Sequence, residues 1–342
     1  MTNIKKSVLI LILILQSCME PNTEDLWSVS IETIMQTEGF ARSITVEGSS
    51  AFVAAGQSGV QVWDLPGHSL LYDYKGYEEL GTFLEFEDLA LVGRDAINDL
   101  LFVSESNQDV KIFHFDGGDS LIYRNTIMSA RTKDFISYPS GSGQFVMYSA
   151  DNDDGLKWSI YEPVDVFDQI NWNPVYPPIE DAELYTPGKP LGIDSDGQSK
   201  IVMAVDQLGV ELYTIDSLGA NPEFVGRVDT EGNAEKVTLS TSGVFVACDN
   251  AGATYIPFES FSTSKISFSF AQDFTVDHIA TNSNIAVLSL GSKGIALYDI
   301  SNPESPIERG VFPIGYSYMS AFWEGKLLVC SREGLQLITI TQ

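Results

Sequence analysis

Basic residues are scarce in this chain: 19 Lys and Arg stand against 47 Asp and Glu over 342 residues, a formal charge of −28. A surface of that sign repels nucleic-acid phosphates and anionic lipid headgroups, so nucleic acid is excluded as a partner and electrostatic adhesion to a bilayer with it. Histidine and cysteine are sparser still, at three each. His68, His114 and His278 are far apart and lack ligand spacing, which sets aside a catalytic zinc with three or four close donors. No G-x-S-x-G elbow marks a serine hydrolase. Helical periodicity is missing from every long stretch beyond residue 25, which excludes helical solenoids. Hydrophobic residues are nevertheless 44% and aromatics 11%, enough for a large core and against global disorder.

The one unbroken aliphatic run, residues 8–15 (VLILILIL), follows Lys5 and Lys6. It is well short of the ~20 residues needed to span a bilayer as a helix. A positive start, an apolar core and a small residue before a cut are the parts of a secretory signal. The ending Leu15-Gln16-Ser17-Cys18 resembles a bacterial lipobox. That resemblance implies a signal peptide over residues 1–17, cleavage before Cys18 and lipid on Cys18. Several acyl chains together anchor firmly where one holds only marginally. Residues 18–25 then form the lipidated cysteine and a polar tether, with one domain over 26–342. The expected address is an exported protein, lipid-anchored to a bacterial membrane. Met19 rather than Asp after the cysteine favours the outer membrane, by resemblance to enterobacterial sorting. The anchor is the only membrane contact expected.

Internal repetition decides the fold. A short apolar strand, a small polar turn often ending in Gly and then an alternating strand recur. The copies are residues 51–64 (AFVAAGQSGVQVWD), 100–116, 144–162, 201–216 (IVMAVDQLGVELYTID), 244–259, 285–301 (IAVLSLGSKGIALYDIS) and 327–341 (LLVCSREGLQLITIT). The turn residues opening the second strand are Gly59, Asp109, Gly155, Gly209, Gly252, Gly294 and Gly334. Glycine suits a turn that needs positive φ, and Asp is a tolerated stand-in. Seven strand-only units, with flanking segments that supply an innermost and an outermost strand, predict an all-β, seven-bladed β-propeller. The last copy lacks an outer strand, and residues 27–36 (WSVSIETIMQ) are unassigned. The predicted closure therefore pairs this N-terminal strand with the C-terminal blade, removing an exposed edge. Cys248 and Cys330 share one register in different units and read as small apolar strand residues, not as a bridge.

The phrase resembles the LVIVD-repeat family of bacterial and archaeal surface proteins, most clearly at residues 294–303 (GIALYDISNP) and 59–64 (GVQVWD). The resemblance implies a propeller but no reaction, so the expected role is a binding or scaffold module acting on another envelope or surface protein.

The starts of the innermost strands should ring the central channel. Aligned there are Arg42-Ser43, Glu87-Asp88, Lys133-Asp134, Lys189-Pro190, Glu235-Lys236, Asp277-His278 and Ser317-Tyr318. The candidate ligand-binding residues are Arg42, Asp88, Lys133, Asp134, Lys236, Asp277, His278 and Tyr318. Their cations suit a small anionic ligand, unless opposite charges in the ring neutralise one another. No cofactor is expected, with calcium the only metal kept open. Asp151, Asp153 and Asp154 crowd one turn and supply oxygens of the kind calcium favours. Lactonase-type propellers hold calcium with channel carboxylates, so a calcium-dependent, lactonase-like hydrolase is the alternative activity. The aspartates ending the repeated phrase (Asp64, Asp116, Asp216, Asp299) are expected to cap turns. Residues 162–188 form a loop elaboration with Trp172, Tyr176 and Tyr185 either presented to a partner or packed on the blade.

Overall fold

The computed structural model describes residues 26–106, 108–127, 131–140, 143–177, 183–263 and 265–342. The expected leader, Cys18 and the tether lie outside the described residues.

Each repeated phrase supplies the second and third strands of an antiparallel sheet. In blade 1, Ser43–Glu47 is innermost, Ser50–Ala54 and Val60–Asp64 follow, and Ser69–Tyr74 is outermost. Six more sheets follow the same order, with inner strands Leu89–Asp95, Thr132–Pro139, Gly192–Ser195, Lys236–Leu239, His278–Asn282 and Ser317–Trp323. Every inner strand touches those of the blades before and after it, and blade 7 returns to blade 1. The fold is a seven-bladed β-propeller.

The alternation expected of the second strand of the phrase does not mark an exposed face: both faces of each sheet are covered, and the polar members Gln61, Glu211 and Gln336 are buried with their apolar neighbours. In the strand Lys200–Ala204 of blade 4, Ile201 and Met203 pack on blade 3 while Val202 and Ala204 pack on blade 5. Period-two alternation thus divides one strand between two cores. The buried apolar residues form seven clusters among the described residues, one at each junction between neighbouring blades. Cys248 and Cys330 are unpaired and buried in two of them.

Ser28–Met35 closes the ring as the outer strand of blade 7, antiparallel to Leu335–Thr341. Its register skips one residue, Glu32, between Ile31 and Thr33. The outer strands of blades 1, 2, 4 and 6 skip Leu71, Arg124, Val225 and Arg309 at the matching step, and that of blade 3 skips Val175 two residues further along. Such a bulge increases local twist. Sharing it shows the N-terminal strand to be a fourth strand of the same kind. Trp323 Nε1 also donates across the seam to the Gly48 carbonyl of blade 1, at 3.0 Å.

The turn glycines answer two demands at once. Gly59, Gly155, Gly209, Gly252, Gly294 and Gly334 all have φ between 78° and 126°. A Cβ on any of them would also run into a carbonyl of the strand pairing alongside: Tyr74, Leu184, Val228, Ala271, Phe312 and Met35. Asp109 in blade 2 is not among the described residues with positive φ, so it replaces the glycine without copying its backbone. The aspartates ending the phrase cap turns as expected. Asp64 accepts from Gly67 N at 2.7 Å, Asp116 from Gly118 N at 2.9 Å, Asp216 from Leu218 N at 2.9 Å and Asp299 from Ser301 N at 3.0 Å.

Two features depart from a minimal blade. The strands Gly76–Glu79 and Thr82–Glu85 form a hairpin added to the outer side of blade 2, making that sheet six-stranded. In blade 3, Gly155–Val166 and Gln169–Tyr176 make a long hairpin. Here the expected aromatic loop divides: Trp172 is buried against Phe145, whereas Tyr176 and Tyr185 are exposed.

Gly294→Ala is expected to destabilise the protein by about 2–4 kcal/mol, combining left-handed backbone strain with overpacking against the Phe312 carbonyl. Gly325 has φ 79° with open space around it, so Gly325→Ala should lose only about 1–2 kcal/mol. Urea unfolding of the two variants measures the difference.

Candidate functional site

Backbone bridges between blades set the rim of the channel. Gly56, Asp206, Asp249 and Gly291, in the turns between second and third strands, all have positive φ. Their carbonyls accept from Leu89 N (3.1 Å), Ala234 N (2.9 Å), Val276 N (3.0 Å) and Ser317 N (3.0 Å) of the next blade. Blade 7 repeats the contact onto blade 1, from Ala41 N to the Ser331 carbonyl at 3.1 Å. Each bridge fixes where an inner strand begins and so brings the residues beside it to the axis.

A cavity of about 740 Å³ follows that axis, lined by the inner strands of all seven blades. Seven of the eight sequence-predicted residues line it: Arg42, Lys133, Asp134, Lys236, Asp277, His278 and Tyr318. Asp88 stands beside it, holding both terminal nitrogens of Arg42, at 2.7 Å from Nη2 and 3.2 Å from Nη1. Further along the inner strands the wall is mixed, with Thr45, Ser137, Thr238 and Thr281 beside Phe135 and Phe322.

Two pairs of the charged members are committed to each other, Arg42 to Asp88 and Lys236 to Asp134. Lys236 crosses blade 4 to reach blade 3, where its Nζ lies 2.8 Å from Asp134 Oδ2 and donates to the carbonyls of Lys133 (3.2 Å) and Leu191 (3.0 Å). Tyr318 stacks with Phe40 and Tyr316, and its hydroxyl accepts from Arg332 Nε at 3.3 Å. The neutralising ring foreseen as the alternative to an anion site is therefore the arrangement seen at Arg42 and Lys236.

A second pattern was not visible in the sequence. Inner strands of neighbouring blades share no continuous ladder, so their N–H groups need other acceptors. Side chains of the preceding blade supply them. Ser43 Oγ accepts from Val92 N (3.1 Å), Asp134 Oδ2 from Ile193 N (3.4 Å), Asp194 Oδ2 from Leu239 N (2.8 Å) and His278 Nδ1 from Ser320 N (3.5 Å). Two of the candidate ligand-binding residues, Asp134 and His278, thus stitch blades together. The only sequence signal is a polar side chain early in the inner strand, at one register position for Ser43, Asp134 and His278 and two residues further along for Asp194.

Burial, with Lys236 nearby, depresses His278 to about 3, so it is a neutral acceptor at physiological pH and not a cation. Burial, with Asp249 alongside, raises the Asp277 carboxyl to about 6. Burial also raises Asp194 to about 6, against the opposing hydrogen bonds from Leu239 and Ser195. Glu235 is raised by burial and by Asp249 and Asp206.

No group of three or more His, Cys, Asp or Glu is placed to hold a metal ion among the described residues. The Asp151, Asp153 and Asp154 turn does not fit calcium, for a local reason. Asp151 is buried and its Oδ1 accepts from Asp153 N (3.0 Å) and Asp154 N (3.2 Å). Asp153 and Asp154 turn outward to Arg131 (3.1 Å) and Lys157 (2.6 Å). The three carboxylates therefore diverge instead of converging.

Acid stability tests these assignments. Between its ordinary value of 3.8 and about 6, Asp277 holds a proton in the folded state that the unfolded chain has released, so its contribution falls as pH rises through that window. Asp277→Asn should raise stability by about 1–2 kcal/mol at pH 7, allowing for partial exposure, and by nothing below pH ~4. His278 has the opposite sign: the unfolded chain gains a proton near 6.5 and the folded one only near 3, so stability is lost as pH falls between them. His278→Asn, which retains an acceptor, should flatten that loss. Thermal unfolding across pH 3 to 8 reads both.

No family model matches the chain, and no curated protein matches it. Solved structures do. The WD40 repeats of RRP9 align with a TM-score of 0.65 at 10% identity, over 92% of this chain and 99% of theirs. A chain of the mitotic checkpoint complex gives 0.61 at 12% identity, over 92% and 93%. The computationally designed Ika8 protein gives 0.59 at 10% identity, over 90% and 98%. At such identity the likeness is one of fold, and what this chain shares with them is the β-propeller architecture.

Proposed function

We propose that this protein is an exported lipoprotein of the LVIVD-repeat type, held to a bacterial membrane through Cys18. Its propeller binds another envelope or surface protein. One observation carries the binding role: much of the channel's charge is occupied in holding the ring, with Arg42 on Asp88, Lys236 on Asp134, and His278 and Asp194 on the next blade's backbone. Recognition then falls to the faces and loops, where rigid blades present side chains at fixed spacing. Cys18 after an aliphatic run and a small residue supports the anchor. The outer membrane is the favoured site, from Met19 after the cysteine. The calcium-dependent hydrolase has less support, since Asp88 and Asp134 pair with cations and Asp194 caps backbone, and no metal-holding group stands among the described residues. A small anionic ligand would have to displace Asp88 from Arg42 or Asp134 from Lys236.

Cells expressing the full chain and fed an alkyne analogue of palmitate should label it and retain it in the membrane fraction. Cys18→Ser should lose the label and release the protein, and a label surviving the substitution would refute the anchor. Calcium-dependent turnover of a lactone panel by the purified propeller would refute the binding role in favour of the hydrolase.

A further inference from the structure

Two hairpins project from neighbouring blades with the same unusual tip. In the blade 2 addition, Glu79 pairs with Thr82 around Leu80 and Gly81, whose φ values are 50° and 79°. In blade 3, Val166 pairs with Gln169 around Phe167 and Asp168, at 54° and 65°. Positive φ at both central residues of a two-residue loop defines a type I′ turn, which favours Asn or Gly first. Bulky apolar side chains fit that backbone poorly. The other non-glycine residues with positive φ among those described are small, polar or charged.

Leu80 and Phe167 are also the most exposed large hydrophobic residues described, at 101% and 96%. Gly81 has open space around it, so the first tip stands clear of the body. Folding and solubility both argue for another residue at each tip, and the same conflict occurs twice. Both hairpins border one strand, Ile122–Ile127. Glu78 of the first pairs with Ile122, and Asn125 Nδ2 donates to Asn173 Oδ1 of the second at 3.0 Å.

We infer that Leu80 and Phe167 are twin anchors that insert into apolar sockets on a partner protein whose socket rims are basic. The flanking charges identify the occupant: Glu78, Glu79 and Glu85 lie on the first hairpin, and Asp165 and Asp168 on the second. Such acids disfavour an anionic bilayer and a second copy of this acidic chain, and they complement Lys and Arg around a socket. Aromatic and aliphatic tips entering pockets inside a charged rim are the anatomy of an interaction hot spot. This inference rests on the protein-binding role proposed above and names its surface and partner chemistry.

The test uses Leu80→Asn and Phe167→Asn, since Asn suits the turn. Both variants should keep or raise Tm, and a lower Tm would overturn the inference by giving the tips a role in folding. A random-peptide phage library selected on the parent protein is the probe. Recovered peptides should carry bulky apolar residues beside Lys or Arg. Their affinity should fall about tenfold or more with either substitution, and weaken with added salt. Peptides that bind the double variant equally well would overturn this surface while leaving the binding role intact. Recovery of no peptide by the parent protein would overturn both. Flotation with phosphatidylcholine–phosphatidylglycerol vesicles, or self-association in sedimentation, that disappears in the double variant would overturn the assigned occupant.

Discussion

A sheet with two apolar faces is stable only between two others, and that constraint governs this molecule. No blade here could bury itself alone: strands such as Lys200–Ala204 send alternate side chains to opposite neighbours. A finite row of such sheets would leave an apolar face bare at each end. Bending the row into a ring removes both ends, provided that the first and last blades are joined. The ladder between Ser28–Met35 and Leu335–Thr341 makes that join, and the cluster holding Met35, Ile44, Trp63, Trp323 and Leu337 seals the seam beneath it.

The same geometry creates a second problem at the centre. Inner strands converge there as edges without a continuous partner, and an edge with unmet N–H groups is costly where water is limited. Polar side chains on those strands meet that need blade to blade. Charge near the axis is therefore a consequence of construction before it is a means of recognition. Lys236 serves that construction by balancing Asp134, one of the acceptors, while Arg42 is held by Asp88.

The ring and its closure were legible in the sequence because their causes are local. A glycine required by both φ and a passing carbonyl recurs at six of seven positions, and burial on both faces makes the strand before it an apolar run, as in Ser50–Ala54, Lys200–Ala204 and Gly243–Ala247. The positions of the rim residues followed from the same register. Their partners did not, since Lys236 meets Asp134 across an intervening blade, a relation with no trace in spacing. The hairpin of residues 76–85 was missed because it lies between two repeats and carries no repeated phrase. Trp172 resembled a displayed aromatic amid prolines, yet the extended hairpin returns it to the core beside Phe145 and Tyr161. The Asp151, Asp153 and Asp154 turn showed suitable donors without the directions in which they point.

The seam also imposes an order of events on folding. Ser28–Met35 is the first described strand of the chain and its ladder partner is the last, so the contact of greatest sequence separation is the one that completes the architecture. Local hairpins within blades can form as the polypeptide emerges, but the opening segment must wait, unpaired, for the closing one. A chain interrupted before its final strands would retain six complete sheets and an unsealed flank. Slow maturation, and vulnerability to proteases and self-adhesion during that interval, follow from having the two ends meet.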